Sequence, residues 1–600
     1  MPTDFNPGAD APLAGAVERC YHPGMDSGAP RWFSRALILI VVSAVLIRLF
    51  FWFYTGRTWE DALISVLHSE NAVRGLGLTH VQPGEPPLHG FTSPLSVLLP
   101  LLGDLVHLGF GLSLLKILSA LCGGIAAWLG ARICLNLGMP RALALTAAAF
   151  LAFEHHQIMW GMAGMETQFV TVAYLYSIDR IERGTQWQKG LSLGFAMLAR
   201  PDAAIWVAIA CAVEFWRARK SRAWRRLVPL LGGLTALYAP WLIFTSLYYG
   251  SPVPNTILAK GLGYSNELSE LWKLPALAKA EHAGHHFFSI FATLGPAYGG
   301  NGTGFQPLWG GYMISRLAVL LALPGIVAAL RKRHFEALLV YAFLAAYSVY
   351  LTFSVSFIFG WYTGPVAAVG IVGSAYGLWR MLEPFTAPRM REAIAAGVGV
   401  AYIASLVWIL PATMQSDRAI QRYVEVGGRE AIGRYLGCVA KTSDTIGSES
   451  LGYIEYYSRR TVYDYPGLCS RKVVKYLRDY PHERNLISML YHLRPTFLVL
   501  RPGEYLTADR QARYPWIEQD YALIRVFRVP DEKRREILFP TANIDLEFDV
   551  FRAKGSPIPS SPCGQPGQSA TWQQLQRAEA AELRALAVPT GIHDVRAGNS

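Results

Sequence analysis

Over its first two thirds the chain alternates long apolar runs with short polar connections, and it loses that pattern after about residue 415. Six runs approach the roughly 20 apolar residues needed to cross about 30 Å of hydrocarbon: Ala36 to Tyr54, Leu114 to Ala131, Leu227 to Tyr248, Leu317 to Leu330, Ala337 to Phe353 and Ile394 to Leu410. Shorter or more interrupted segments near 141–158, 167–180, 188–199, 203–216 and 362–380 read the same way, which gives about eleven transmembrane helices. The stretch from Ser93 to Gly111 is broken by Pro94, Pro100, Gly103, Asp104 and His107, and a full crossing there would put Arg132 and Arg141 on the wrong side; it reads as re-entrant.

Beyond residue 415 helical stretches such as Arg429 to Val439 and Lys472 to Asp479 alternate with strand-like runs at Thr445 to Gly447, Thr461 to Tyr463, Thr496 to Leu500 and Ala522 to Val529. That alternation predicts a small α/β domain over 415–554. A Pro, Ser and Gly-rich linker, Gly555 to Ser569, and a polar helical stretch, Ala570 to Leu586, follow. Residues 1–34 precede the first apolar run and read as a disordered cytoplasmic tail with no cleavable signal, leaving 35–414 as the transmembrane module.

Composition agrees: 52% of residues are hydrophobic and only 16% charged, with 17 Trp. A net charge of +12 would suit nucleic acid, but the bases crowd into short connections. These are Arg217, Arg219, Lys220, Arg222, Arg225 and Arg226, then Arg331, Lys332 and Arg333, then Arg380, Arg389 and Arg391. This is the positive-inside pattern of a multi-pass inner-membrane protein and argues against a nucleic-acid partner. It places the loops 55–92 and 250–311, the Arg200-Pro201-Asp202 turn, the Trp361-Tyr362 turn and the α/β domain on the extracytoplasmic side. Of seven cysteines, Cys438 and Cys469 fall in that domain, where a disulfide between them and two separate thiols both fit the compartment. His282, His285 and His286 have spacings that permit ring contacts, but Gly284 weakens a helix there and a metal site is not the favoured reading.

The chemistry concentrates in the first external loop. Glu60 and Asp61 stand just past an apolar helix, followed by Ala62-Leu63-Ile64-Ser65, Asn71, Gly75-Leu76-Gly77-Leu78, Pro83-Gly84-Glu85, then His89 and Gly90-Phe91-Thr92-Ser93-Pro94-Leu95. An acidic pair at a membrane edge is costly to bury and points to function, against the alternative of a solvated helix end. Further along come Gly161-Met162-Ala163-Gly164-Met165-Glu166-Thr167, then Leu198-Ala199-Arg200-Pro201-Asp202, then Tyr248 to Thr256 with Asn255 and Lys260. Last come Gly447, Gly452-Tyr453, Asp464 and Gly467-Leu468.

In this order the motifs resemble the C-type (GT-C superfold) polytopic glycosyltransferases, and within them are most similar to terminal arabinofuranosyltransferases that use polyprenyl-phosphate arabinose. The resemblance implies a membrane glycosyltransferase acting on the outer face of the inner membrane. Its donor would be a polyprenyl-phosphate sugar, D-arabinofuranose first, with mannose, glucose or aminoarabinose as alternatives; the rival class, a lipid-linked sugar flippase or transporter, is disfavoured because the carboxylates sit at outer helix ends and no internal repeat is found. Its acceptor would be a cell-envelope glycan or an exported protein. The family usually shows two aspartates where this chain has Glu60 and Asp61, so the pair is carried over as catalytic without dividing the roles.

A phosphate leaving group needs no general acid, whereas the acceptor hydroxyl must lose a proton, and one carboxylate can take it. Basic residues must hold the phosphate, and Lys260 and Arg200 stand in matched segments. The competing readings are snorkelling for Lys260 and an ion pair with Asp202 for Arg200. Glu166, Asp202, Asn255 and His89 complete the candidate site, Glu166 with the alternative of a helix-dipole role. Some relatives hold a divalent cation, Mg or Mn, and others need none; Glu60 and Asp61 would be its ligands here.

Overall fold

The computed structural model describes residues 30–80, 86–265, 272–299, 305–307, 311–355, 358–384, 387–507, 513–538 and 545–556. Most of the expected N-terminal tail, the Pro83-Gly84-Glu85 motif and nearly all of the C-terminal linker and helix lie outside the described residues.

The protein is an α-helical polytopic membrane protein with a C-terminal α/β domain. Among the described residues seven helices are long and apolar enough to cross a membrane: Arg31–Thr55, Gly111–Asn136, Trp224–Tyr249, Gly311–Arg331, Phe335–Phe353, Gly360–Leu382 and Pro388–Val439. Shorter helices, Arg141–Phe153, Thr167–Arg183, Gln186–Ala199 and Ala204–Lys220, pack among them. The stretch read as re-entrant forms a 12-residue helix, Leu95–Val106; at 1.5 Å per residue it extends only about 18 Å. The 250–311 loop is structured, holding the helices Asn255–Gly263 and Ala276–Ile290 and an antiparallel pair, β1 (Ala297–Gly299) and β2 (Phe305–Pro307). Gly284 is accommodated inside the second helix, and His282 stacks on His286 with centroids 3.9 Å apart.

Helix Thr167–Arg183 marks the two ends of the membrane module. Its Arg183 end meets the basic connections, which are tied together by Arg183–Glu336, Lys332–Glu383 and the Arg217–Glu182 pair. Its Thr167 end reaches the cavity described below.

Arg48 is the exception to the apolar pattern of the first helix. Its side chain is fully buried and donates to the carbonyls of Ala44, Leu151, Ala152 and Gln157 and to Gln168 Oε1. Gly123 leaves room for it, since a Cβ there would lie 2.3 Å from Arg48 Nε.

The last apolar helix does not stop at the compositional boundary near residue 415. It continues as one 52-residue rod, π-helical over Ile420–Glu430, whose length of about 78 Å exceeds the hydrocarbon thickness more than twofold. The rod carries the α/β domain, whose sheet runs β4-β3-β5-β7-β6, with β3 (Thr445–Ser448), β4 (Thr461–Asp464), β5 (Phe497–Leu500), β6 (Tyr521–Arg528) and β7 (Glu547–Ala553). β3 pairs in parallel with β4 and β5, while β7 runs antiparallel to β5 and β6.

Two modules share one core at their junction. Ile64, from the first-loop helix Glu60–Val73, packs with Ile432, Leu436, Ile446 and Phe497 of the α/β domain. Cys469 is a buried free thiol, so the Cys438–Cys469 disulfide is not formed. The Cys469 Sγ instead donates to Gly90 O at 3.4 Å, which the first loop brings against it.

Candidate active site

Helix Glu60–Val73 begins immediately after Trp59, whose N–H donates to Ala163 O at 2.9 Å. Its indole packs against Trp160 and Trp361, with centroids 4.9 and 5.7 Å away. This triple-tryptophan cluster joins the first loop to the Gly161–Thr167 motif and to the Gly360–Leu382 helix, and so fixes the direction of the acidic pair. Consecutive helical residues point about 100° apart, so the two carboxylates of the pair face different surroundings.

Asp61 lines a cavity together with Ser65, Thr92, Ser93, Ser96, Glu166, Arg200, Thr256, Lys260, Trp361, Tyr362 and Leu468. Glu60 turns instead toward the α/β domain, where it pairs with Arg429 at 3.2 Å. Arg429 also pairs with Glu425 and Asp545, so Glu60 joins a network of alternating charge across the seam. Enclosure in the cavity pushes the Asp61 carboxyl above the ordinary aspartate range; Lys260 opposes that rise and Glu449 adds to it. Burial likewise raises Glu60, against the pull of Arg429.

The cationic side is built by two elements. Helix Asn255–Gly263 presents Lys260, whose Nζ donates to Tyr362 OH at 3.4 Å and lies 5.2 Å from the Phe359 ring centroid. No carboxylate lies within ion-pair distance of Lys260 among the described residues, whereas Arg200 pairs with Asp202 at 2.9 Å and stacks on Tyr362 at 4.3 Å. Both readings of Arg200 therefore hold together: it binds Asp202 and lines the cavity. Asp202 supports Arg200 from behind and is not a lining residue. Glu166 lines the cavity at the start of helix Thr167–Arg183 without capping it by a side-chain hydrogen bond.

Two expected members stand elsewhere. His89 is buried in an aromatic nest, stacked on Tyr249 at 4.8 Å and edge-on to Phe91, and does not line the cavity. Asn255 reaches out of it, donating from Nδ2 to the carbonyls of Gly467 and Leu468 at 2.8 and 3.0 Å. Sequence reasoning did not assign the hydroxyl wall, in which Ser65 and Ser96 lie 3.2 Å apart and Thr92 and Thr256 2.9 Å apart. The signal was present, because Ser65, the Thr92-Ser93 pair and Thr256 all fall inside the quoted motifs.

Since Glu60 is committed to Arg429, the acidic pair does not present two carboxylates to one point, and no group of three or more His, Cys, Asp or Glu among the described residues is arranged to hold a metal ion. The arrangement does not fit a cation site built from both carboxylates.

Gly452 seals the seam below Glu60. A Cβ at Gly452 would lie 2.0 Å from Glu60 O, so the two backbones meet directly. Gly452→Ala is expected to destabilise the protein by about 1–3 kcal/mol through overpacking. A thermal-unfolding midpoint unchanged from the parent would contradict this contact.

Comparison with known proteins gives a family match only in the C-terminal part: residues 416–543 match a "Domain of unknown function (DUF8728)". No curated protein matches. Among solved structures, ArnT from Cupriavidus metallidurans bound to undecaprenyl phosphate is 13% identical with a TM-score of 0.48, covering 87% of this chain and 99% of its own. The Archaeoglobus fulgidus oligosaccharyltransferase in complex with zinc and sulfate is 14% identical with a TM-score of 0.47, covering 81% and 71%. The apo form of the Cupriavidus ArnT gives 14% and 0.41, covering 85% and 97%.

Proposed function

We propose that the protein is a C-type membrane glycosyltransferase that moves a sugar, D-arabinofuranose first among the candidates, from a polyprenyl-phosphate donor to a cell-envelope glycan or exported protein. The observation that carries this reading is the cavity in which one carboxylate, Asp61, faces two cations, Lys260 and Arg200, across a wall of hydroxyls. Asp61 takes the proton of the acceptor hydroxyl as the acceptor oxygen bonds to the anomeric carbon. The bond from that carbon to the phosphate oxygen breaks, and its electron pair leaves with the polyprenyl phosphate. Lys260 and Arg200 hold the charge that develops there. Hydroxyls of Ser65, Thr92, Ser93, Ser96 and Thr256 suit a polyhydroxylated ring, and Trp361 and Tyr362 offer it an aromatic face.

The gathering of the basic connections at the opposite end of the module supports an extracytoplasmic cavity.

The test is transfer by the purified full-length protein from synthetic polyprenyl-phosphate arabinofuranose to an arabinan-like acceptor, run beside the mannosyl and glucosyl donors. Transfer from the arabinose donor supports the full reading. Turnover of another polyprenyl-phosphate sugar keeps the enzyme class and removes arabinose, and inertness toward every such donor overturns the proposal.

A further inference from the structure

Asp464 ends strand β4 and is fully buried, yet no cation pairs with it among the described residues. Its carboxylate accepts three successive backbone N–H groups, from Gly467 at 3.1 Å, Leu468 at 2.5 Å and Cys469 at 3.2 Å, so the loop is wound around it. That loop grips the helix bearing Lys260 at both ends. At the start, Asn255 Nδ2 donates to Gly467 O and Leu468 O. At the end, Tyr465 OH donates to Gly263 O at 2.8 Å, and Pro466 packs where a Cβ on Gly263 would come within 2.3 Å. Leu468 itself lines the cavity, and Cys469 holds Gly90 of the first loop.

We infer that the Asp464–Cys469 loop fixes the phosphate-binding helix in place, with Asp464 as the positioning residue for Lys260. The inference rests on the glycosyltransferase reading and deepens it: through Leu468 the α/β domain forms part of the wall of the donor site. Among the described residues Lys260 has no carboxylate partner to locate its ammonium, so its position follows that of its helix. Loss of the Asp464 carboxylate leaves three buried N–H groups without acceptors and frees both grips together. A displacement of about 1 Å at a reacting group can cost on the order of a hundredfold.

The experiment uses the full-length protein, Asp464→Ala and Asp464→Asn. Four quantities are read: kcat, donor KM, affinity for undecaprenyl phosphate, and maleimide labelling of Cys469 followed on its own peptide by mass spectrometry. The expected result for Asp464→Ala is a donor KM raised roughly 10–100-fold with a smaller change in kcat, phosphate affinity weakened in step, and Cys469 labelled much faster. Asp464→Asn, which keeps an acceptor oxygen, recovers part of each. Parental KM and labelling would overturn the inference, as would a fall in kcat alone that tracks the folded fraction. If the parent neither binds polyprenyl phosphate nor turns over any such donor, the functional reading fails. Labelling of Cys469 and hydrogen exchange over residues 255–263 then still decide whether Asp464 holds the helix.

Discussion

Asp61→Asn is expected to lower kcat by roughly 10²–10⁴-fold while leaving donor affinity nearly unchanged, because a general base acts on the acceptor proton rather than on the donor phosphate. The sign of the pH dependence follows from the cavity. Asp61 must be ionised to accept a proton, and enclosure raises its pKa above the ordinary aspartate value. Activity therefore falls as pH drops through that raised value, earlier than an exposed aspartate would allow, and the residual activity of Asp61→Asn lacks that limb. Glu60→Gln serves as the discriminating partner. Its carboxylate faces Arg429 at 3.2 Å and not the cavity, so the amide should weaken the seam between the modules and keep most of kcat in the protein that remains folded. A Glu60→Gln protein with parental thermal stability but no turnover, beside an active Asp61→Asn, would invert the assignment.

Lys260→Ala should act on the donor. Removing one charge-assisted hydrogen bond of about 1.5–3 kcal/mol corresponds to roughly a 10–150-fold rise in the dissociation constant for undecaprenyl phosphate, with donor KM following it. Lys260→Arg should recover part of this, since charge returns but the compact ammonium does not. The effect should exceed that of Arg200→Lys, because part of the Arg200 charge is already engaged by Asp202 at 2.9 Å. Titration of undecaprenyl phosphate against the parent and the three variants, followed by intrinsic tryptophan fluorescence, makes the comparison. Trp361 lines the cavity and supplies the signal. Equal affinities across the set would remove Lys260 from phosphate binding.

The membrane module was legible because hydropathy and loop charge act over short windows: every long apolar run in the sequence became a helix. Strands β3 to β6 were legible from β-branched and aromatic runs. β7 was missed, although Phe548, Val550 and Phe551 are buried on it, because Glu547, Asp549 and Arg552 intersperse charge through a short apolar run. The division of labour between Glu60 and Asp61 was not legible. They are adjacent in sequence, and only Arg429, some 370 residues later, tells one from the other. Asn255 and His89 show the opposite limit: both stand in motif segments beside the site, yet one ties backbone carbonyls and the other fills an aromatic nest. Asp464 was quoted for its motif without a role, since a carboxylate wound in its own loop has no signature apart from the fold.

The burial of Arg48 imposes an order on synthesis. An arginine at the centre of an apolar helix costs about 2.5–3.5 kcal/mol on insertion scales. Three of its carbonyl acceptors, on Leu151, Ala152 and Gln157, are made 103 to 109 residues after it. At about 5–20 residues per second that is an interval of roughly 5–20 s in which the first span sits in lipid or at the translocon with its guanidinium held only by its own helix, at Ala44 O. A nascent chain truncated before residue 151 should accordingly be the form most readily extracted from the membrane or captured by insertion chaperones, and the segment 141–162 is what commits the first helix to the bilayer.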